Sequence, residues 1–311
     1  MARLILTHGI GKPREAAKFR DIWVDALADG ATRAGHGDFA TALRDGVHDV
    51  EFVSYGSLFT RDDQSQGADL TLPPDEQEIA TEFFREIVAA RREEAAPRER
   101  VILDDVAARL DPPDQPQGVG APVNTLINAA TTLLAVPPMR RAGQWLTAKA
   151  MVWDFQQVAR YLGRGEPRDG AALDVRIRQM LLDTVDDRPA VVVAHSLGSV
   201  VTLEALHETS TAIPLLVTVG SPLGMRSAVW PRVRPRPPRT PECVGRWLNF
   251  WDRDDIIAVN PILERRVRPS SSGVLPVSNR VDSDGLWVHD AIKYLAHADV
   301  AGPVAEAMKA P

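Results

Sequence analysis

The stretch that decides the fold is Pro189-Ala-Val-Val-Val-Ala-His-Ser-Leu-Gly-Ser199. Its first half, Ala190–Ala194, is continuously apolar, which is typical of a central parallel strand that is buried on both faces. The residues after it, Leu197–Glu208, predict a helix. A strand followed at once by a helix, with a serine at the sharp turn between them, projects the serine hydroxyl above the sheet.

The residues on either side of Ser196 fit such a turn. Ala194 and Gly198 lie two positions before and after the serine, where strand and helix backbones crowd together and only small side chains fit. The serine would also lie at a helix N-terminus, where the helix dipole favours developing negative charge. We therefore interpret Ser196 as a nucleophile, with an ordinary N-cap serine as the alternative.

Outward from this turn, short apolar runs alternate with longer amphipathic segments. This alternation predicts an α/β fold with a mostly parallel central sheet flanked by helices. The predicted strands are Arg3–Thr7, Val50–Tyr55, Ala190–Ala194, Leu215–Val219 and Trp247–Trp251. The predicted helices are Arg14–Ala34, Asp75–Glu94, Leu173–Thr184, Leu197–Glu208 and His289–His297.

Residues 57–170 fit this alternation poorly, because they are mostly helical in pattern and are broken by three Pro-Pro pairs. We expect a single domain of residues 1–311 with a helical insertion or cap at 57–170. Ordinary sheet-covering helices are the alternative. The uncharged run Gln115–Met139 is too interrupted by polar residues to span a membrane, but it is a candidate lid. We expect side chains from Val123–Trp153 to line the cavity at Ser196.

A glycine-rich loop, Leu6-Thr-His-Gly-Ile-Gly11, follows the first predicted strand. Acyl transfer to a serine needs backbone N–H groups directed at the oxyanion of the tetrahedral intermediate. We assign that role to the N–H groups of Leu197 and Ile10. A nucleotide-binding loop is excluded, because Pro13 and Arg14 occupy positions where the phosphate-binding patterns require other residues.

A cluster of acids, Asp252, Asp254 and Asp255, follows the last predicted strand. An acid that orients a catalytic histidine belongs in such a loop. We prefer Asp255, because the Ile-Ile pair after it would anchor the loop inward, and keep Asp252 and Asp254 as alternatives. At least two of the three are expected to lie in a solvated turn.

His289 is the candidate general base, because it lies late in the chain just before a predicted helix. Among the seven histidines, His297 is its rival. The order Ser196, Asp255, His289 is the order found in α/β-hydrolases.

Taken together, these motifs resemble α/β-hydrolases of the lipase and esterase type. They are the His-Gly-x-Gly loop, the Ala-His-Ser-Leu-Gly turn, the Asp-Ile-Ile loop, the histidine before Tyr294-Leu295, and Gly220-Ser-Pro-Leu223. The resemblance covers the first strand and most of residues 185–297, but not 57–170. It implies cleavage of a carboxylic ester through an acyl-enzyme, without a cofactor. A thioesterase, acyltransferase or amidase would use the same residues, and a catalytically silent interaction protein is an alternative from another class.

Composition limits the partners. The net charge of -6 gives no overall attraction to nucleic acid, and neither an H-E-x-x-H motif nor a paired Cys/His set predicts a metal site. We expect a small-molecule or lipid acyl substrate, no membrane span, and at most peripheral membrane contact. The single cysteine and the short N-terminal apolar run fit a cytoplasmic protein. A proline-rich stretch, Pro231–Pro241, is expected to be a loop. The basic residues in and before it, Arg226, Arg232, Arg234, Arg236 and Arg239, are expected to be solvated, with contact to an acidic substrate group, anionic lipid or partner as the alternative.

Overall fold

The computed structural model describes residues 2–10, 16–59, 72–111, 120–136, 147–165 and 170–309. Within them, six strands form one sheet in the order β2-β1-β3-β4-β5-β6, and every neighbouring pair is parallel. The predicted class, a parallel central sheet flanked by helices, is confirmed. The strands are β1 Arg3–Thr7, β2 Val50–Val53, β3 Ala190–His195, β4 Leu215–Val219, β5 Trp247–Asp252 and β6 Pro276–Val281.

Strand β3 lies inside the sheet, between β1 and β4, and all six of its residues are buried. Because side chains alternate along a strand, Val192 packs into one hydrophobic cluster, while Val191 and Val193 pack into the cluster on the opposite face. Both faces of the strand are therefore covered, which explains why its sequence is apolar without alternation.

One face of the sheet is covered by helices from the two ends of the chain. These are α1 Ala16–Arg33, α2 Gly37–Arg44, α9 Ala291–Leu295 and α10 Ala298–Lys309. The opposite face is covered by the middle of the chain. Its helices are α3 Pro74–Glu94, α4 Pro97–Leu110, α5 Val123–Ala135, α6 Ala148–Leu162, α7 Leu173–Leu182 and α8 Leu197–Ala205.

The differences from the predicted elements have local causes. Strand β6 was not predicted from the sequence. It is an edge strand that begins with a proline, and its middle residues are exposed or half-buried. The predicted helix His289–His297 begins only at Ala291, because the Asp290 side chain accepts the N–H of Ile292 and caps the helix there. Helices α2 and α10 were not predicted.

The region predicted as an insertion folds into helices α3–α6, which pack against one another. In its core the ring of Phe155 lies 5.3 Å from that of Phe83 and 5.0 Å from that of Phe84. The buried residues of α5, such as Leu126 and Leu133, belong to the same hydrophobic cluster. Parts of the candidate lid, residues 115–119 and 137–139, lie outside the described residues. The domain division and the role of this region as a cap stay predictions.

None of the helices in the described part of the chain is long and apolar enough to cross a membrane.

The expectation that the arginines of Pro231–Pro241 are solvated is wrong for Arg232. Its guanidinium donates to Glu82 of α3 at 2.7 Å and to the backbone carbonyl oxygens of Ser227 and Ala228. The backbone N–H of Arg234 donates to the buried carboxylate of Glu204 at 2.9 Å. These hydrogen bonds therefore join the loop to two helices, α3 and α8.

Candidate active site

Ser196 connects β3 to α8 in a strained backbone conformation, with φ 53° and ψ -129°. A positive φ is costly for a residue with a side chain, and it persists only where the surroundings hold it. Here the serine N–H donates to the carbonyl oxygen of Val219 at 3.1 Å. The serine carbonyl oxygen accepts the N–H of Ser199 at 2.9 Å and its hydroxyl at 2.6 Å. The Ser199 hydroxyl also bonds the Ser221 hydroxyl at 2.6 Å.

Two glycines allow the glycine-rich loop to touch this turn. A Cβ atom on Gly198 would lie 2.5 Å from the carbonyl oxygen of His8. A Cβ atom on Gly9 would lie 2.7 Å from the Cβ of Ser196. Neither position has room for a larger residue, so the small residues seen in the sequence are required by close backbone approach.

The structure brings Ser196, His289 and Asp255 together. The Oγ of Ser196 lies 3.1 Å from Nε2 of His289, and Nδ1 of the same ring lies 2.8 Å from Oδ2 of Asp255. All three residues are buried. The arrangement contains a hydroxyl, a base within hydrogen-bond reach of it, and an acid that orients the base, which is the geometry that activates a serine nucleophile.

The carboxylate of Asp255 is held by more than the histidine. Its Oδ2 accepts the hydroxyl of Tyr294 at 2.7 Å, and its Oδ1 accepts the N–H of Ile257 at 2.9 Å. Burial alone would raise the pKa of this carboxyl. The interaction with His289 and the hydrogen bonds from His289, Tyr294 and Ile257 outweigh burial and lower its pKa below the ordinary value. Asp255 is therefore ionised and fixed in orientation.

The two alternative acids lie elsewhere. Asp252 is buried, and its carboxylate accepts the N–H groups of Asp254 at 2.8 Å and Ser283 at 2.5 Å. It joins the loop after β5 to the loop before His289. Asp254 is exposed. The expectation that at least two of the three acids are solvated is therefore wrong, because Asp252 binds backbone donors.

The rival histidine also lies elsewhere. His297 is half-buried, and its Nε2 bonds the hydroxyl of Ser283 at 3.3 Å. The ring that meets Ser196 is that of His289.

Of the two proposed oxyanion donors, Leu197 directly follows Ser196, and Ile10 follows Gly9, which approaches Ser196 closely. Leu197 is the first residue of α8, and N–H groups in the first turn of a helix have no acceptor within the helix. Ile10 is buried and directly follows Gly9. The loop before it is anchored by the hydroxyl of Tyr55, which donates to the carbonyl oxygen of His8 at 2.6 Å. Residues 11–15 lie outside the described residues, and the roles of Ile10 and Leu197 stay predictions.

Three residues that sequence reasoning did not assign complete the surroundings. Tyr294 binds Asp255, and the Nε2 of His195 lies 2.7 Å from the carbonyl oxygen of His289. Gly220 has a positive φ of 55°, and a Cβ atom there would lie 2.9 Å from Oδ2 of Asp255. The signal in the sequence was their place in the motifs of the resemblance, which contain His195, Gly220 and Tyr294 but assign them no role.

Helix α3 also extends to the loop after β5, at the carboxyl ends of the strands. The carboxylate of Glu86 accepts three consecutive backbone N–H groups, those of residues 226–228. A cavity of about 470 Å³ lies between the C-terminal half of α3 and the loop after β5. Its lining includes Arg91, Glu94, Trp251, Arg253 and Asp255. The expectation that side chains from Val123–Trp153 line the cavity at Ser196 stays a prediction. Residues 137–146 of this range lie outside the described residues.

In the described ranges, no group of three or more His, Cys, Asp or Glu side chains is placed to hold a metal ion.

The chain was compared with protein-family models, with curated proteins and with solved structures, and none of the three comparisons found a match.

Proposed function

We propose that this protein is a serine hydrolase that cleaves carboxylic esters, with Ser196 as the nucleophile. The observation that carries the proposal is the unbroken path of hydrogen bonds from the Ser196 hydroxyl through both ring nitrogens of His289 to the carboxylate of Asp255. A serine hydroxyl is a weak nucleophile unless a base takes its proton as it attacks. The buried imidazole supplies that base.

The reaction follows from the positions of these groups. The Oγ of Ser196 attacks the ester carbonyl carbon while its proton passes to Nε2 of His289. Asp255 holds Nδ1–H and stabilises the imidazolium that forms. The N–H groups of Leu197 and Ile10 stabilise the oxyanion. The imidazolium then protonates the leaving alcohol as the carbon–oxygen bond breaks, which leaves an acyl group on Ser196.

Water completes the cycle. His289 takes a proton from water as the oxygen attacks the acyl carbonyl, and returns it to Oγ of Ser196 as the carboxylic acid leaves. No external redox partner or cofactor is needed for either half.

We also propose that the parallel sheet is that of an α/β-hydrolase. The support is positional: the nucleophile follows β3, the acid follows β5 and the base follows β6, in the order Ser, Asp, His. Functional residues at the carboxyl ends of parallel strands are usual in open α/β sheets. A cytoplasmic location stays a prediction.

Covalent labelling tests the reaction class. A fluorophosphonate reagent should modify the wild-type protein at one site, and Ser196→Ala should not be modified. Ser272→Ala, at an exposed serine far along the chain, is the matched control and should label as the wild type does. Labelling that persists in Ser196→Ala would move the nucleophile elsewhere. A wild-type protein that does not react would support the silent interaction protein.

Product analysis tests the choice of substrate class. The wild-type protein should release acid and alcohol from short-chain p-nitrophenyl esters faster than it cleaves the matching thioesters or anilides. If the acyl group is instead transferred to an added alcohol, so that a new ester forms in place of the free acid, the result would favour the acyltransferase alternative.

A further inference from the structure

The base of the proposed reaction lies on an irregular segment. Residues 282–290, which contain His289, form neither helix nor strand. Within this segment Trp287 has a positive φ of 63°, an unusual conformation for a bulky residue. A hydrogen bond to Asp255 fixes one end of the imidazole. That bond orients the ring of His289 but does not bind its backbone.

The backbone of His289 is bound by His195. The Nε2 of His195 lies 2.7 Å from the main-chain carbonyl oxygen of His289. His195 is the last residue of β3, pairs with Val219 of β4, and is itself buried. Its ring lies 4.8 Å from the ring of His289 and 6.0 Å from that of Trp23. The contact therefore starts from a strand inside the sheet whose residues are all buried.

The protonation of His195 follows from its surroundings. Burial, together with the neighbouring His289, lowers the pKa of His195 well below its ordinary value, so that the ring is neutral and carries one N–H. A carbonyl oxygen only accepts hydrogen bonds, so the proton lies on Nε2. His195 thus donates a fixed hydrogen bond to the backbone of His289.

We propose that His195 is a positioning residue for the reaction, whose Nε2–H holds the carbonyl of His289 and so sets the distance from the base to the nucleophile. The contacts form a closed ring: Ser196 Oγ to the His289 imidazole, the His289 carbonyl to His195, and His195 to Ser196 through the peptide bond. The strand that carries the nucleophile therefore also locates the base. This inference rests on the function proposed above.

Amide substitutions separate positioning from packing. The side-chain amide of Gln reaches the place of Nε2, whereas that of Asn, one methylene shorter, does not. His195→Gln should therefore keep kcat near the wild-type value. His195→Asn and His195→Leu should lower kcat and the fluorophosphonate labelling rate by about 10²-fold, the usual cost of a misplaced catalytic group, with little change in KM. The substrate is p-nitrophenyl acetate, and thermal unfolding of each variant is measured in parallel.

The wild-type protein provides a second measurement that needs no variant. In protein labelled with ¹⁵N-histidine, the imidazole of His195 should give the neutral Nε2–H tautomer, with a slowly exchanging ring proton.

The outcomes distinguish the two proposals. A wild-type protein that neither reacts with fluorophosphonate nor hydrolyses the ester overturns the proposed function. If the wild type reacts, the positioning role alone is overturned by His195→Asn or His195→Leu at the wild-type kcat. Equal losses in the Gln and Asn variants that follow their melting temperatures would show a merely structural role. An Nδ1–H tautomer or an imidazolium at His195 would also overturn it.

Discussion

The two ends of helix α8 carry two buried polar clusters that differ in how their carboxylates are used. At the N-terminal end, Asp255 binds one ring nitrogen of His289, and the other nitrogen meets Ser196. Near the C-terminal end, Glu204 accepts hydrogen bonds from Tyr161, Arg164, Arg178 and the backbone N–H of Arg234. Both carboxylates are buried.

The difference lies in the donors that surround each carboxylate. The donors around Glu204 are two permanently charged guanidinium groups, a backbone N–H and a phenol whose pKa is raised by burial and by Glu204 itself. None of these donors readily gives up its proton to Glu204. At the other end a titratable ring stands between an acid and a hydroxyl, so a proton can pass along the path. A buried, fully bonded carboxylate is therefore a structural feature unless it acts through a base.

The largest expected effect is that of Ser196→Ala. Removal of the proposed nucleophile should lower ester hydrolysis by about 10⁶-fold, because no other group would form the acyl-enzyme of the proposed reaction. Stability should change little, since the hydroxyl makes one hydrogen bond. Initial-rate assays and thermal unfolding measure the two quantities, and hydrolysis that survives in a purified, folded variant would contradict the assignment.

Asp255→Asn should lower kcat by about 10⁴-fold. The amide keeps the shape but no longer stabilises the imidazolium, and it favours the wrong tautomer of His289. Asp252→Asn, three residues earlier at the end of β5, is the matched control. It removes a buried carboxylate that binds only backbone N–H groups, so it should reduce stability and leave kcat of the folded protein within a small factor. A reversed result would make Asp252 the acid.

Glu204→Gln tests the polar cluster near the C-terminal end of α8. The variant leaves the partly buried Arg164 and Arg178 with less compensating charge, so unfolding should become easier by about 3 kcal/mol. Activity per folded molecule should stay at the wild-type level, because the cluster is at the far end of α8. Urea unfolding combined with active-site titration separates the two effects, and a specific loss of kcat would mean that the ends are coupled.

Tyr294→Phe should slow the reaction by about tenfold, which corresponds to the loss of one hydrogen bond to a charged group. Asp255 keeps its bonds from His289 and Ile257, so the acid stays in place but is less well held. The control is Tyr161→Phe, which removes the equivalent phenol at Glu204 and should cost stability without slowing the reaction. Equal effects on kcat would erase the distinction between the clusters.

The smallest expected effect concerns pH. Because folding lowers the pKa of Asp255, the folded state binds its proton less readily than the unfolded chain, where the value is about 3.9. The resulting stabilisation is complete above that value and is lost as the pH falls through the lower folded pKa. Asp255→Asn should therefore show a shallower loss of stability below about pH 4. Parallel slopes for variant and wild type would contradict the lowered pKa.

Much of the site was predictable because its signals are local. The apolar run of β3, the small residues at Ala194 and Gly198 and the serine between them lie within a few positions. The parallel sheet was predictable for the same reason. Strand β6 was not, because an edge strand needs no apolar run, and its pairing with β5 is visible only when both are folded.

The choice among three nearby acids shows the limit of sequence reasoning. Asp255 was preferred from the two isoleucines after it, and Ile256 and Ile257 are indeed buried. The burial of Asp252 was missed, because its partner Ser283 comes from a loop 31 residues later. A carboxylate's exposure depends on which distant backbone donors reach it, and local composition does not contain that information.

The sequence by itself determined the class of the sheet, the position of Ser196 at a strand-to-helix turn, and the order in which serine, acid and histidine follow one another. The first two depend on residues close together in the chain, whose spacing fixes local backbone structure, and the third is read directly from the order of the residues along the chain. Only the tertiary structure decided which acid meets His289, that His195 holds its carbonyl, and that α3 lies against the loop after β5. Those contacts join residues far apart in sequence, and they form because burial of the apolar helix and strand faces forces the loops at one edge of the sheet together.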